Sequence, residues 1–253
     1  MAEVDWDERA RQGVGLQSVI DPGDRDGLKN GLIDRIQWNC IGPWVQGRRR
    51  LLDYGCGIGR FARRVHACGV GYVGVDASAA MIEAGARGHA GLPLEFLHAP
   101  ELPLPLAEAS VDGVLSVGVL QCLQTADGAL LRQAVSDLAR VLEPGGELLM
   151  IEQASASGRH SGSVSASASE QDYLDALAPH FEVAELRRVR LGALSRYAGF
   201  YFRHGLRLPA RPLIEALVAR HETARATRAN PSQLVVQVYH DVAIRAVRLP
   251  AAR

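Results

Sequence analysis

The sequence predicts an α/β fold: a doubly wound, mostly parallel sheet with an antiparallel last strand, an N-terminal helical cap, and a helical insertion before that strand. Three observations carry this. Between residues 50 and 152, short apolar runs alternate with stretches of helical period, and strands separated by helices need crossover connections, which means parallel pairing. LLDYGCGIGR at 51–60 joins the first run to the first of these helices through Gly55, Gly57 and Gly59, whose freedom from a Cβ lets the backbone turn sharply and approach a ligand. LVVQVYHDVAIRAV at 234–247 supplies a long final strand, expected to be antiparallel to its neighbours.

Taken in order, residues 1–30 mix charges with Gly13, Gly15, Pro22, Gly23 and Gly27, so regular structure there should be short and interrupted. Leu32, Ile33, Ile36, Ile41 and Trp44 suggest a helix that breaks at Gly42-Pro43. Arg50–Tyr54 is a first strand, and Phe61–Cys68 a helix. Gly71–Val75 is a second strand ending at Asp76, followed by a helix over Ser78–Ala86 with Ser78 placed to cap it. Leu94–Leu97 makes a third strand, leading into the Pro-rich PELPLPLAEAS. Val111–Val117 is a fourth strand, Gly128–Leu142 a helix ending at Pro144-Gly145-Gly146, and Glu147–Glu152 a fifth strand. The Ser/Ala/Gly stretch over 153–169 is expected to be a mobile loop at the sheet's carboxyl edge. Glu170–Ala178 is helical, Phe181–Leu191 strand-like, and 193–232 a helical insertion holding two basic helices. The domain organisation expected is a cap over 1–47 and one α/β domain over 48–253.

Composition narrows the partners. Lys plus Arg and Asp plus Glu number 28 each, so no global field draws the chain to nucleic acid or to an anionic membrane, and a small molecule is the default partner. No apolar run reaches the length that spans a bilayer, and MAEVDWDERARQ is charged rather than signal-like, so a soluble, cytoplasmic protein without membrane insertion is expected. Cys40, Cys56, Cys68 and Cys122 fall at no metal-ligand spacing, so no metal site is expected, and they read as reduced thiols, most of them buried.

With these motifs placed, residues 48–152 resemble the class I S-adenosylmethionine (SAM) dependent methyltransferases, whose fold is Rossmann-like. LLDYGCGIGR looks like the glycine-rich first motif, YVGVDAS the second, ASVDGVLSVGVLQCL the fourth-strand motif, and RVLEPGGELLMIE the helix, turn and fifth strand that follow. A nicotinamide-binding fold is the nearest rival, but its fingerprint is G-x-G-x-x-G, whereas here an acid precedes G-x-G-x-G. The resemblance implies SAM as cofactor, with Asp53 near its amino group, Gly55, Cys56 and Gly57 along its methionine part, and Asp76 accepting from both ribose hydroxyls. Ala77, Met81, Ala99, Ser116 and Val117 complete the expected cofactor-binding set. His98 joins it because LHAPELP stands where many relatives carry an Asp that meets the adenine amino group. Gln121-Cys122 stands where many carry a His, so no base can be transferred to that site.

Methyl transfer from a sulfonium is an in-line displacement, in which the protein mainly aligns the acceptor and excludes water. An aliphatic hydroxyl also calls for a base. Glu152 at the end of the fifth strand, His160 in the Ser-rich stretch and Tyr173 in the next helix are the candidate catalytic residues; Glu152 serves equally well as an internal partner for a nearby Arg. VIDPGDRDGLKNGLIDRIQW resembles the lead-in of bacterial methyltransferases associated with surface-polysaccharide glycosyltransferases, which implies polysaccharide biosynthesis, a sugar or glycan hydroxyl as acceptor, and Lys29 and Asn30 near cofactor or substrate. Another small metabolite or natural product as acceptor, and a non-catalytic SAM-binding subunit, are the alternatives; the oligomeric state is left open.

Overall fold

The structure, a computed structural model, describes residues 5–13, 15–123, 128–155, 168–230 and 239–250. The N-terminal segment forms α1 (Trp6–Gln12), α2 (Leu16–Val19) and the long α3 (Leu28–Val45). There follow β1 (Arg50–Tyr54), α4 (Ala62–Ala67), β2 (Gly71–Asp76), α5 (Ala79–Gly88), β3 (Glu95–His98), β4 (Val111–Val117), α6 (Ala129–Val141) and β5 (Leu142–Ala154). The chain continues through α7 (Glu170–Leu177), β6 (Phe181–Leu191), α8 (Arg196–His204), α9 (Arg211–Thr227) and β7 (His240–Arg248).

The seven strands lie in the order β3-β2-β1-β4-β5-β7-β6. β1 pairs in parallel with both β2 and β4, while β7 runs antiparallel to β5 and β6. The Rossmann-like sheet with an antiparallel strand is therefore as expected. The strand order reverses beside β1, and in open α/β sheets ligands bind beyond the carboxyl ends at that switch point.

Strand alternation explains the layering. Leu52, Val114, Leu148 and Met150 point to one face, where α6 and α7 cover them with Leu131, Leu138, Tyr173 and Leu177. Their neighbours Leu51, Leu115, Leu149 and Ile151 point to the other, against Leu32, Ile36, Ile41, Phe61 and Val218 from the helices packed there. A strand buried on both faces reads as a continuous apolar run rather than an alternating one, which is why its sequence signal was strong.

Three expectations need correction. The helix does not break at Gly42-Pro43: α3 runs through Pro43 to Val45. Pro43 falls in the last turn, where only the bond to the carbonyl four residues back is lost, and the fully buried Ile41 and Val45 hold that turn against the core. β5 begins at Leu142 rather than Glu147, because Leu142 already pairs with Val111 and the register then jumps to Gly113 opposite Glu147. Of the four free cysteines only Cys40 and Cys56 are buried; Cys68 is half-buried and Cys122, on the 3-10 turn Leu120–Leu123, is exposed.

The N-terminal segment is tied down locally and at long range. Asp24 accepts from the Asn30 amide at 2.7 Å, Asn30 donates to the Asp21 carbonyl at 2.9 Å, and Lys29 pairs with Asp21 at 2.6 Å, so DPGDRDGLKN folds on itself at the start of α3. Asp7 accepts from the Ser78 hydroxyl and the Ala80 amide, which pins α1 to the first turn of α5.

Candidate functional site

At the carboxyl end of β1 the chain turns over β2: the amides of Gly55 and Cys56 both donate to the Val75 carbonyl, at 2.8 and 3.0 Å. Gly55, Gly57 and Gly59 have φ of 69°, 54° and 70°, the left-handed region that favours glycine. Close approach adds a second constraint. A Cβ on Gly55 would stand 2.2 Å from Val119, one on Gly57 2.7 Å from Val19, and one on Gly59 2.6 Å from the Phe96 ring. The triplet thus admits Val19 from the N-terminal segment and Val119 from the loop after β4 to within contact of the turn.

Asp76 closes this turn. Its two carboxylate oxygens accept separately from the Gly57 amide at 2.8 Å and the Ser78 amide at 2.9 Å, so one side chain spans the glycine loop and the N-terminus of α5. Burial raises its pKa against those hydrogen bonds. Asp53 lies deeper, accepts from the Tyr72 hydroxyl at 2.8 Å, and is pushed up to about 7 by burial, with Tyr72 and Arg60 opposing.

A cavity of about 490 Å³ opens over this turn. Of the expected cofactor-binding residues, Gly55, Cys56, Gly57, Asp76, Ala77, Met81, Ala99 and Val117 line it. Asp53, His98 and Ser116 stand outside the wall. His98 donates to the Ala77 carbonyl at 3.0 Å, and Ser116, fully buried, donates to Glu152 at 2.8 Å. The apolar side of the wall comes from Leu102 and Leu104 of the Pro-rich connection together with Leu123 and Leu130. Those leucines follow a strand's carboxyl end, which is the signal that could have marked them. Trp6 and Val19 also line the cavity, and nothing local in their sequence announces it.

A second cavity of about 450 Å³ adjoins the first across Trp6, Val19, Arg60, Val117, Gly118 and Cys122. Its remaining wall is mixed, with Lys29, Gln37, Gln121, Gln153, Arg190 and Asp241 set among Ile20, Ile33 and Ile151. Arg60 stands at the junction, held by Gln37 at 2.7 Å and Asp34 at 3.3 Å and laid over the Phe61 ring. Arg190 and Asp241 form a bidentate pair at 2.7 and 2.9 Å. Lys29 lines this cavity, whereas Asn30 is fully buried beneath it.

The three candidate catalytic residues separate. Glu152 lines the second cavity, although only 1% exposed. One of its oxygens accepts from Ser116 and the Val119 amide, the other from the Gln121 amide at 3.2 Å. Burial pushes Glu152 up to about 7 against these hydrogen bonds. Tyr173 lines neither cavity; it is packed in the core with its hydroxyl donating to the Gln153 carbonyl at 2.8 Å. His160 lies outside the described residues.

Residues 52–150 match the family described as methyltransferase domain. An uncharacterized methyltransferase of Mycobacterium ulcerans is 40% identical over 105 residues, which are 42% of this chain and 39% of that protein. The chain thus aligns with well under half the length of this curated relative. Among solved structures, a geranyl diphosphate C-methyltransferase from Streptomyces coelicolor, bound to Mg2+, geranyl diphosphate and S-adenosyl-L-homocysteine, superposes with a TM-score of 0.60 at 17% identity over 98% of this chain and 100% of that one. The [4+2]-cyclase SpnF superposes with a TM-score of 0.56 at 20% identity over 85% and 82% of the two chains. At such identities the likeness is one of fold, and a cyclase on the same fold shows that the fold leaves the reaction open. Over 52–150, the class I SAM-dependent methyltransferase character and the SAM cofactor implied by the motifs are supported by the family match.

Proposed function

We propose that this chain, whose residues 52–150 match the methyltransferase domain family, transfers the methyl group of SAM to a hydroxyl of a small polar acceptor, a sugar or glycan. The observation that carries this reading is the junction of two cavities across one shared wall, the second richer in charged and amide side chains than the first. The first fits the cofactor: a left-handed glycine turn whose Gly55 and Gly57 line the wall, a carboxylate at Asp76 for vicinal hydroxyls, and an apolar slot beyond Ala99 for a planar base. Bound there, SAM supplies an electrophilic methyl group on a sulfonium. Arg60 sets a cation at the junction, and Val117 and Gly118 divide the two spaces.

Between Ile20, Ile33 and Ile151 the second cavity offers amides and charged groups at fixed positions, which can hold a polyol by its hydroxyls while the isoleucines meet its C–H faces. In this reading Glu152 would take the proton of the acceptor hydroxyl as the methyl carbon passes from the sulfonium sulfur to that oxygen, the C–S bond breaking and a neutral thioether leaving. Its raised pKa, about 7, suits a base working near neutrality. Glu152→Gln should lower kcat by about 10²–10⁴ and remove a rise in rate through about pH 7. A raised KM with that pH limb intact would instead make Glu152 a positioning residue for the loop after β4.

Titration calorimetry with SAM, followed by turnover of labelled SAM on glycans, small alcohols and apolar natural products, tests the whole reading. No SAM binding, or binding indifferent to Asp76→Ala, overturns the cofactor assignment. One observation favours a second reading, an apolar small metabolite: the leucines of the first cavity extend past the cofactor turn toward α6. Methylation of apolar acceptors alone would support it, and SAM binding without turnover on any acceptor would support a non-catalytic subunit.

A further inference from the structure

Outside both cavities, α8 and α9 present an apolar surface that the methyltransferase reading does not use. Tyr197, Phe200, Leu206, Leu213 and Leu217 are 50–62% exposed, and none of them lines either cavity. They form one face. Tyr197 and Phe200 lie three apart on α8, and Leu213 and Leu217 four apart on α9. The Tyr197 ring meets His221 edge-on at 4.8 Å, which joins the two helix faces, and Leu206 lies in the turn between them.

Within 193–230 the exposed charges are of one sign. Over 193–230 the acidic residues are Glu215 and Glu222, and both are turned inward: Glu215 to Arg35 and Tyr201, Glu222 to Ser195 and Arg225. Arg196, Arg203, Arg207 and Arg220 are exposed, and among the described residues none of them has a carboxylate partner. A chain of zero formal net charge thus carries a locally basic, aromatic and leucine-rich face.

From this we propose that the α8–α9 face docks on the surface of an anionic lipid bilayer, with the apolar side chains in the interface and the arginines among the headgroups. A second copy of the chain fits poorly, because a two-fold contact would set arginine against arginine. A bound peptide helix would call for a groove, whereas these side chains are at least half exposed and line neither cavity. An exposed apolar stripe rimmed by arginines is the form of an interfacial helix. Docking of this kind is distinct from insertion: no helix among the described residues is long and apolar enough to cross a membrane. The proposal does not depend on the methyltransferase reading.

Vesicle co-sedimentation of the full chain tests it, comparing phosphatidylcholine alone with phosphatidylcholine containing about 30 mol% phosphatidylserine. The chain should pellet with the anionic vesicles only, and less so as salt rises from about 0.1 M to about 0.5 M. Leu213→Ser with Leu217→Ser should weaken binding more than about tenfold, and so, separately, should Arg203→Gln with Arg207→Gln. All four side chains are outside the core, so both variants should keep the parent melting temperature, and the charge variant tests the idea without touching an apolar contact. Failure of the parent chain to pellet, equal binding to neutral vesicles, or binding unchanged in both variants overturns the proposal. A dimer in light scattering that Leu213→Ser with Leu217→Ser dissolves would assign the face to a second copy and overturn it as well.

Discussion

Asp76 and Glu152 are each a carboxylate whose two oxygens accept from different backbone amides, and that shared geometry sets what their loss should do. Asp76→Ala frees the amides of Gly57 and Ser78 at once, so SAM affinity measured by calorimetry should fall more than about tenfold. Gly57→Ala acts differently: the new methyl group meets Val19 at 2.7 Å on a backbone at φ 54°, so the N-terminal segment must move away and SAM affinity should again fall. Glu152 and Asp53 also predict a pH dependence. Burial raises both to about 7, from ordinary values of 4.5 and 3.8. The folded, ligand-free chain therefore holds protons that the unfolded chain has released, and this contribution to stability, present at acid pH, is lost as pH rises through about 7. The melting temperature should accordingly drop between about pH 4.5 and about pH 7 and level off above that, and Glu152→Gln should flatten part of that drop.

At the scale of elements, side chains far apart in sequence join neighbouring segments. Arg190 and Asp241, 5% and 4% exposed, tie β6 to β7 by a bidentate pair. Asp241 holds the guanidinium charged against its burial. Arg190→Met should cost about 3–5 kcal/mol in chemical denaturation, because it strands a buried carboxylate, and Asp241→Leu added to it should restore most of the loss. Ile36, fully buried on α3, packs onto the sheet, and Ile36→Ala should cost about 2–5 kcal/mol. Strand and helix order was legible because each element carries its own period: Leu51-Leu52 and Leu148 to Ile151 are runs that only a strand buried on both faces would need. The path of α3 through Pro43 was not legible, since local rules end a helix there and the burial of Ile41 and Val45 overrides them.

For the whole molecule, the first cavity, proposed for the cofactor, was more legible than the second, proposed for the acceptor. Gly55, Gly57 and Asp76 lie within or next to elements whose order already places them at the switch point. The second cavity gathers Arg9 and Lys29 from the N-terminal segment, Glu152 from β5, Arg190 from β6 and Asp241 from β7. No spacing links residues so far apart. The basic, apolar face of α8 and α9 shows the same limit: total charge balances, and the inward turn of Glu215 and Glu222 leaves Arg196, Arg203, Arg207 and Arg220 without a carboxylate partner among the described residues.

By itself the sequence determined the sheet, its crossovers and the glycine turn over which the first cavity opens, because those follow from local periodicity and from backbone angles that glycine favours. Only the tertiary structure decided which side chains meet across the sheet: that Asp53 and Ser116 lie behind the cavity rather than in its wall, that Tyr173 belongs to the core, and that Trp6 and Val19 close over the turn. Contacts of that kind are set by how separate elements pack, and packing depends on the shape of the whole chain rather than on any stretch of it.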